Sequence, residues 1–165
     1  MRASTATLVA AVAAILTAGC ASVPTPADDP ICTELSRFAD TRTGQFPRAV
    51  VLRGGWGGDL PGTLMTHECK PQGGGGAEEF CSYLASNTSW EFGRYTVERV
   101  AACFGDSESR RSIRALSKAG KHAKVSVANP WAGSATSSLT ISFTPASGRQ
   151  TVYRFEIVAN DSRPL

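Results

Sequence analysis

The last third of the chain alternates between apolar and polar residues in three separate segments, and that pattern leaves few folds open. Ala123, Val125 and Val127 alternate with Lys124 and Ser126. Leu139, Ile141 and Phe143 alternate with Thr140 and Ser142, and Tyr153, Phe155 and Ile157 with Arg154 and Glu156. Successive side chains of a strand point to opposite faces, so each segment is a strand with one apolar and one wet face. Asn129-Pro130 and Ala146-Ser147-Gly148 supply the turns between them. Three such strands in succession predict an antiparallel meander whose apolar face needs a cover.

Upstream segments supply that cover. Asp29-Pro30 is a helix entrance, an acidic cap followed by Pro in the first turn. Ile31, Leu35 and Phe38 then recur at helical spacing, predicting a helix over 30–39 that has ended by Gly44. Arg48 to Arg53 holds the continuous apolar run Ala49-Val50-Val51-Leu52 of a strand buried on both sides, broken by Gly54-Gly55-Trp56-Gly57-Gly58. Thr63 to Cys69 reads as a partner strand, and Pro71-Gln72 with Gly73 to Gly76 as a flexible loop. Ala77, Phe80, Cys81 and Leu84 mark a second helix. Thr88-Ser89-Trp90-Glu91 has capping-box form, placing a third helix from Ser89 with Phe92, Thr96, Val100 and Cys103 inward, Tyr95 and Phe104 beside them, and Gly105 as a left-handed stop. Residues 107–118, if helical, turn Ile113 and Leu116 inward and set Arg110, Arg114 and Lys118 four apart on one face. The expected fold is α+β: a two-layer sandwich of an antiparallel meander sheet with three or four short helices on one face.

Cys32, Cys69, Cys81 and Cys103 lie within these elements. An even number in an exported chain argues for two disulfides, and four cysteines allow three connectivities. We favour Cys69–Cys81 across the glycine loop and Cys32–Cys103 between two helices. A zinc site is the rival, but the chain has no C-x-x-C pair and only His67 and His122 to offer, so no metal or other cofactor is expected.

Export itself is read from the start of the chain. Arg2 precedes an uncharged run from Ala3 to Thr17, too short to span a bilayer, and the run ends in Leu16-Thr17-Ala18-Gly19-Cys20. This segment resembles the signal of bacterial lipoprotein precursors, departing from the usual pattern at Thr17, where an aliphatic residue is commoner. The resemblance implies that residues 1–19 are removed and that Cys20 becomes the acylated first residue, carrying enough chains for stable anchoring in the lipid bilayer. Ala21, in place of an acidic residue after Cys20, implies an outer-membrane address on the periplasmic face. Residues 20–30 then form a lipidated, Pro-rich tether of about 30 Å. Residues 31–165 form a single α+β periplasmic domain, the size of one ordinary domain. No domain family is recognised in it.

Function is less legible. A net charge of +3 gives no reason to expect nucleic acid. The glycine run at 54–58 is not a phosphate loop, since no Gly-Lys-Ser/Thr and no helix start follows it; a turn is its expected role. No G-x-S-x-G, S-x-x-K or H-E-x-x-H occurs, and the cysteines are assigned to disulfides. His67 and Glu68 are adjacent, but strand neighbours point to opposite faces, so they are not expected to act together. Asn87-Thr88-Ser89 matches a glycosylation acceptor that a bacterial lipoprotein does not use. Candidate partner-binding residues are Trp56 and Trp131, aromatic residues in loops, and the basic stripe of Arg110, Arg114 and Lys118. The expectation is a non-catalytic lipoprotein that binds another protein, similar in layout to immunity proteins and inhibitors of cell-wall hydrolases. The alternative is a structural or assembly lipoprotein touching peptidoglycan or an outer-membrane machine.

Overall fold

The computed structural model describes residues 28–42, 45–57, 62–74, 76–133, 136–147 and 152–161. The export segment, Cys20 and the tether up to residue 27 lie outside the described residues. The elements run α1 (Pro30–Ala39), β1 (Arg48–Trp56), β2 (Met65–Gln72), α2 (Gly76–Asn87), α3 (Gly93–Ala102), α4 (Ser107–Ser117), β3 (Ala123–Ala128), β4 (Ser138–Thr144) and β5 (Val152–Asn160). Among the described residues, no helix is long and apolar enough to cross a membrane.

The alternating segments pair as a meander, β3 with β4 and β4 with β5, both antiparallel. β1 adds antiparallel to β5 and β2 to β1, giving one five-stranded sheet in the order β2-β1-β5-β4-β3. Four helices cover the sheet: α2 over β1 and β2, α3 over β5, α4 over β3 and β4, with α1 wedged between α2 and α3. The expected α+β sandwich is the observed fold. Its core joins Leu52, Leu139, Ile141, Phe143, Phe155 and Ile157 of the sheet to Leu35, Phe38, Phe80, Leu84, Val100, Phe104 and Ile113 of the helices and the segments that follow them.

Both favoured disulfides are present. Cys32–Cys103 joins α1 to the end of α3 with Cα atoms 5.1 Å apart, and Cys69–Cys81 pins α2 onto β2 at 5.4 Å. Asp29 caps α1 through the Ile31 N–H, as its position suggested, and also receives Arg99 of α3 at 2.7 and 2.8 Å. The guanidinium beside Asp29 holds its carboxyl below the ordinary carboxylate range.

Four boundaries depart from the sequence reading. The glycine run does not break β1: Gly54, Gly55 and Trp56 continue the strand, paired to His67, Thr66 and Met65. β2 runs through Pro71 and Gln72, which the sequence assigned to a loop. It is an edge strand, and a Pro with no N–H to donate is tolerated there. α3 begins at Gly93, not Ser89, because the Ser89 hydroxyl closes a turn by accepting from the N–H groups of Glu91 and Phe92. Phe92 and Tyr95 are therefore exposed, and the inward stripe is Gly93, Thr96, Val97, Val100 and Ala101. Gly105 keeps a negative φ and is not a left-handed stop; α3 ends at a Cys103 cap, and Asp106 starts α4 by accepting from the Ser109 N–H.

Candidate functional site

The pairing register divides the sheet into two ends. Arg48, Ala159, Leu139 and Val127 form a cross-strand row at one end, and His67, Gly54 and Tyr153 a row near the other. Even-numbered residues of β1 face the helices, so Gly54 lies beneath the segment that leads into α3. A Cβ on Gly54 would sit 2.6 Å from the Trp90 carbonyl oxygen and 2.7 Å from the Tyr153 ring. A Cβ on Gly93 would sit 2.5 Å from the same ring. Two absent side chains thus let Tyr153 lie between β1 and the start of α3, where its hydroxyl donates to the Ser89 carbonyl at 2.8 Å. Burial pushes the Tyr153 phenol up to about 12.

That clamp fixes the 88–92 turn in a geometry that turns apolar side chains outward. Trp90 meets Trp56 edge-on at 4.6 Å between ring centroids. Trp56, Leu64, Met65, Phe92 and Tyr95 are the exposed large hydrophobic residues among those described, between 55% and 81% accessible, and all five belong to this end. Beside them a groove of about 780 Å³ opens between α3 and the β4–β5 end. Phe143, Tyr153 and Pro145 line its interior, and Phe92 and Tyr95 line it from α3. Its polar margin is tied up internally: Arg94 donates to the Ser117 carbonyl at 2.7 Å, and Glu98 accepts from the Ser117 hydroxyl at 2.5 Å and from Arg114 at 3.2 Å.

The opposite end is polar, with a smaller groove of about 340 Å³ between Asp40, Arg42, Pro130 and Trp131. Asn129 is buried and donates to the Ala39 carbonyl at 2.7 Å, and the Thr41 hydroxyl accepts from the Gly133 N–H. Trp131 lies here, half-buried and edge-on to Phe104 at 5.4 Å. It packs against the core. Trp56 and Trp131, grouped by the sequence reading, therefore occupy opposite ends of strands about 26 Å long.

α4 is a helix, with Ile113 and Leu116 buried as expected. Its basic residues play unequal parts. Arg110 donates to the Phe104 and Gly105 carbonyls at 3.0 and 2.9 Å and Arg114 pairs with Glu98, whereas Arg111 and Lys118 project into solvent. His67 turns to the helix side of β2, where its Nε2 is buried without a partner and burial lowers its pKa. Glu68 is drawn to the other face by Arg53 at 3.1 Å and Lys70 at 3.6 Å, so the two do not form an acid–base pair. Among the described residues, no group of three metal-ligating side chains is found.

No family model, curated protein or solved structure matches this chain. The site stands on its own geometry. Trp56 was legible as a rigid aromatic beside glycines. Leu64, Met65, Phe92 and Tyr95 were not.

Proposed function

We propose that this chain is a non-catalytic, membrane-anchored periplasmic lipoprotein that binds another protein through the apolar end of its sheet. One observation carries the reading: every exposed large hydrophobic residue among those described lies at that end, and two of them, Phe92 and Tyr95, line an aromatic groove there. Scattered apolar residues are ordinary on a surface, but a cluster that includes Trp and Tyr has the composition of an interface centre. The cluster is also held rigid by the Tyr153 clamp, which lowers the ordering cost of binding. A partner with a cleft, such as a cell-wall hydrolase or a secreted toxin, fits a projecting apolar end of this kind. The anchor is supplied by Cys20.

The test is capture from a periplasmic extract of the native host by the soluble chain lacking Cys20. A stoichiometric protein partner is expected, lost when Phe92 and Tyr95 are both changed to Ala and kept when Thr140 on the wet face is changed to Ala. Both side chains are exposed, so far-ultraviolet circular dichroism and the melting temperature are expected to stay unchanged. Capture that ignores the double substitution would sink the assignment. Recovery of peptidoglycan fragments without any protein would favour a structural envelope role.

A further inference from the structure

We infer that the outer face of α4 rests on an anionic lipid surface and tilts the domain so that the β1–β2 corner of its apolar end points away from the membrane. The argument rests on the lipid-anchor reading for its geometry, and on the charge distribution for its chemistry.

Charge is spread unevenly across the helix layer. At one edge, α2 carries exposed Glu78 and Glu79 and no basic residue. At the other edge, α4 and the turn after it carry Arg111, Lys118 and Lys121, all exposed and none in an ion pair among the described residues. Arg110 bonds to carbonyls and not to an acid, and although Asp106 and Glu108 at the start of α4 offset part of the charge, this edge stays net cationic. Arg110, Arg111, Arg114 and Lys118 line a shallow groove of about 430 Å³ along the helix. Several charges elsewhere are matched, while Arg94 donates to carbonyls and Glu91 and Lys124 are exposed. Arg37 pairs with Glu34 and Arg42 with Asp40 around α1, and Arg53, Lys70 and Arg154 pair with Glu68 and Glu156 on the wet face of the sheet.

The tether selects a bilayer as the occupant over other anions. Asp29, where the described chain begins its first helix, is held to Arg99 on α3, and α3 packs directly against α4. The nine chain steps from Cys20 to Asp29 can span at most about 30 Å. A bilayer holding Cys20 is therefore within range of the helix layer. Within that layer, only the α4 edge is drawn to anionic headgroups, while the acidic α2 edge is repelled. Trp56, Leu64 and Met65 belong to the β1–β2 edge of the sheet, across from the β3–β4 edge that α4 covers, so this tilt turns them away from the bilayer.

The experiment uses the chain from Ala21 onward, which contains every described element and both disulfides but not Cys20. Sedimentation is measured with vesicles of pure phosphatidylcholine and with vesicles of three parts phosphatidylcholine to one part phosphatidylglycerol. The expected result is binding to the anionic vesicles alone, abolished near 1 M salt, where charges are screened beyond about 3 Å. Each cation beside an anionic leaflet contributes about fivefold in partitioning, so Lys118→Glu with Lys121→Glu should weaken binding by at least about 25-fold. Glu78→Gln with Glu79→Gln should not weaken it. Absence of binding to anionic vesicles, equal binding to both kinds, or indifference to the charge reversal would each overturn the inference. So would loss of vesicle binding on Phe92→Ala with Tyr95→Ala, which would make the apolar end a lipid-inserting surface. Mass spectrometry of cell-made protein separates the anchor reading: an unacylated Cys20 sinks the anchor, while anionic-vesicle binding still sustains the α4 contact.

Discussion

Tyr153 is the residue on which the site turns. It belongs to β5, but it sets the position of a turn more than sixty residues earlier by filling the space that Gly54 and Gly93 leave. Gly93→Ala should therefore cost roughly 1–3 kcal/mol, the usual range for overfilling a packed site, read from the denaturant midpoint. Tyr153→Phe should cost only about 1 kcal/mol, since it removes one hydrogen bond and keeps the ring. The raised phenol adds a pH signature. Between the ordinary pKa of 10.0 and the native value of about 12, the unfolded chain sheds this proton while the folded chain keeps it. Stability from this group is complete below pH 10 and is lost as pH rises toward 12. Tyr153→Phe should flatten that part of the alkaline fall in melting temperature; an identical fall in both proteins would contradict the burial argument.

At the scale of elements, the strands were the legible part, and for a simple reason. Period-two alternation depends only on one face being buried, so Leu139, Ile141 and Phe143 announce their face without knowledge of their neighbours. Helix starts depend on tertiary contacts as well. Ser89 satisfied the local capping rule yet closes a turn, because the space over Gly54 and the Tyr153 ring places Gly93 at the first position of α3. Pro71 misled in the same way, since its tolerance at an edge depends on which strand has no outer neighbour. The helices are held to the rest by unequal staples. Cys32–Cys103 closes a loop of 71 residues and Cys69–Cys81 one of 12. On the chain-entropy account, replacing the first pair by Ser should cost about 4 kcal/mol and the second about 3 kcal/mol in guanidinium unfolding. Asp29 works on two elements at once. Asp29→Asn keeps the cap on α1 but loses the ion pair, so it should destabilise less than Asp29→Ala, the difference being roughly 1 kcal/mol.

For the whole molecule, the layer order was within reach of the sequence; the disulfide pairing was a favoured choice among three connectivities, and the binding end was not legible. Trp56, Leu64, Phe92 and Tyr95 share a surface only because β1 lies beside β5 and α3 starts above Tyr153. Nothing in their spacing states this, and the expectation that Trp56 and Trp131 share a loop surface joined the last residue of β1 to a loop residue at the opposite end of the sheet. The same architecture gives each region one task in the proposed account: a tether at Asp29, a cationic edge along α4, and an apolar end free to meet a partner. Changing Cys20 to Ser should move the protein from the membrane fraction to the soluble fraction without altering its melting temperature.

The central claim is that the apolar end is where another protein binds. Its most direct measurement is site-specific photo-crosslinking in living cells, with a photoreactive phenylalanine placed in turn at Leu64, Tyr95, Thr140 and Pro130. Leu64 and Tyr95 are exposed in the apolar end, Pro130 is exposed at the opposite end, and Thr140 is half-buried on the wet face. The expected result is one discrete protein adduct from Leu64 and Tyr95 and none from Thr140 or Pro130. Adducts of equal yield from all four positions, or adducts from Thr140 and Pro130 alone, would contradict it.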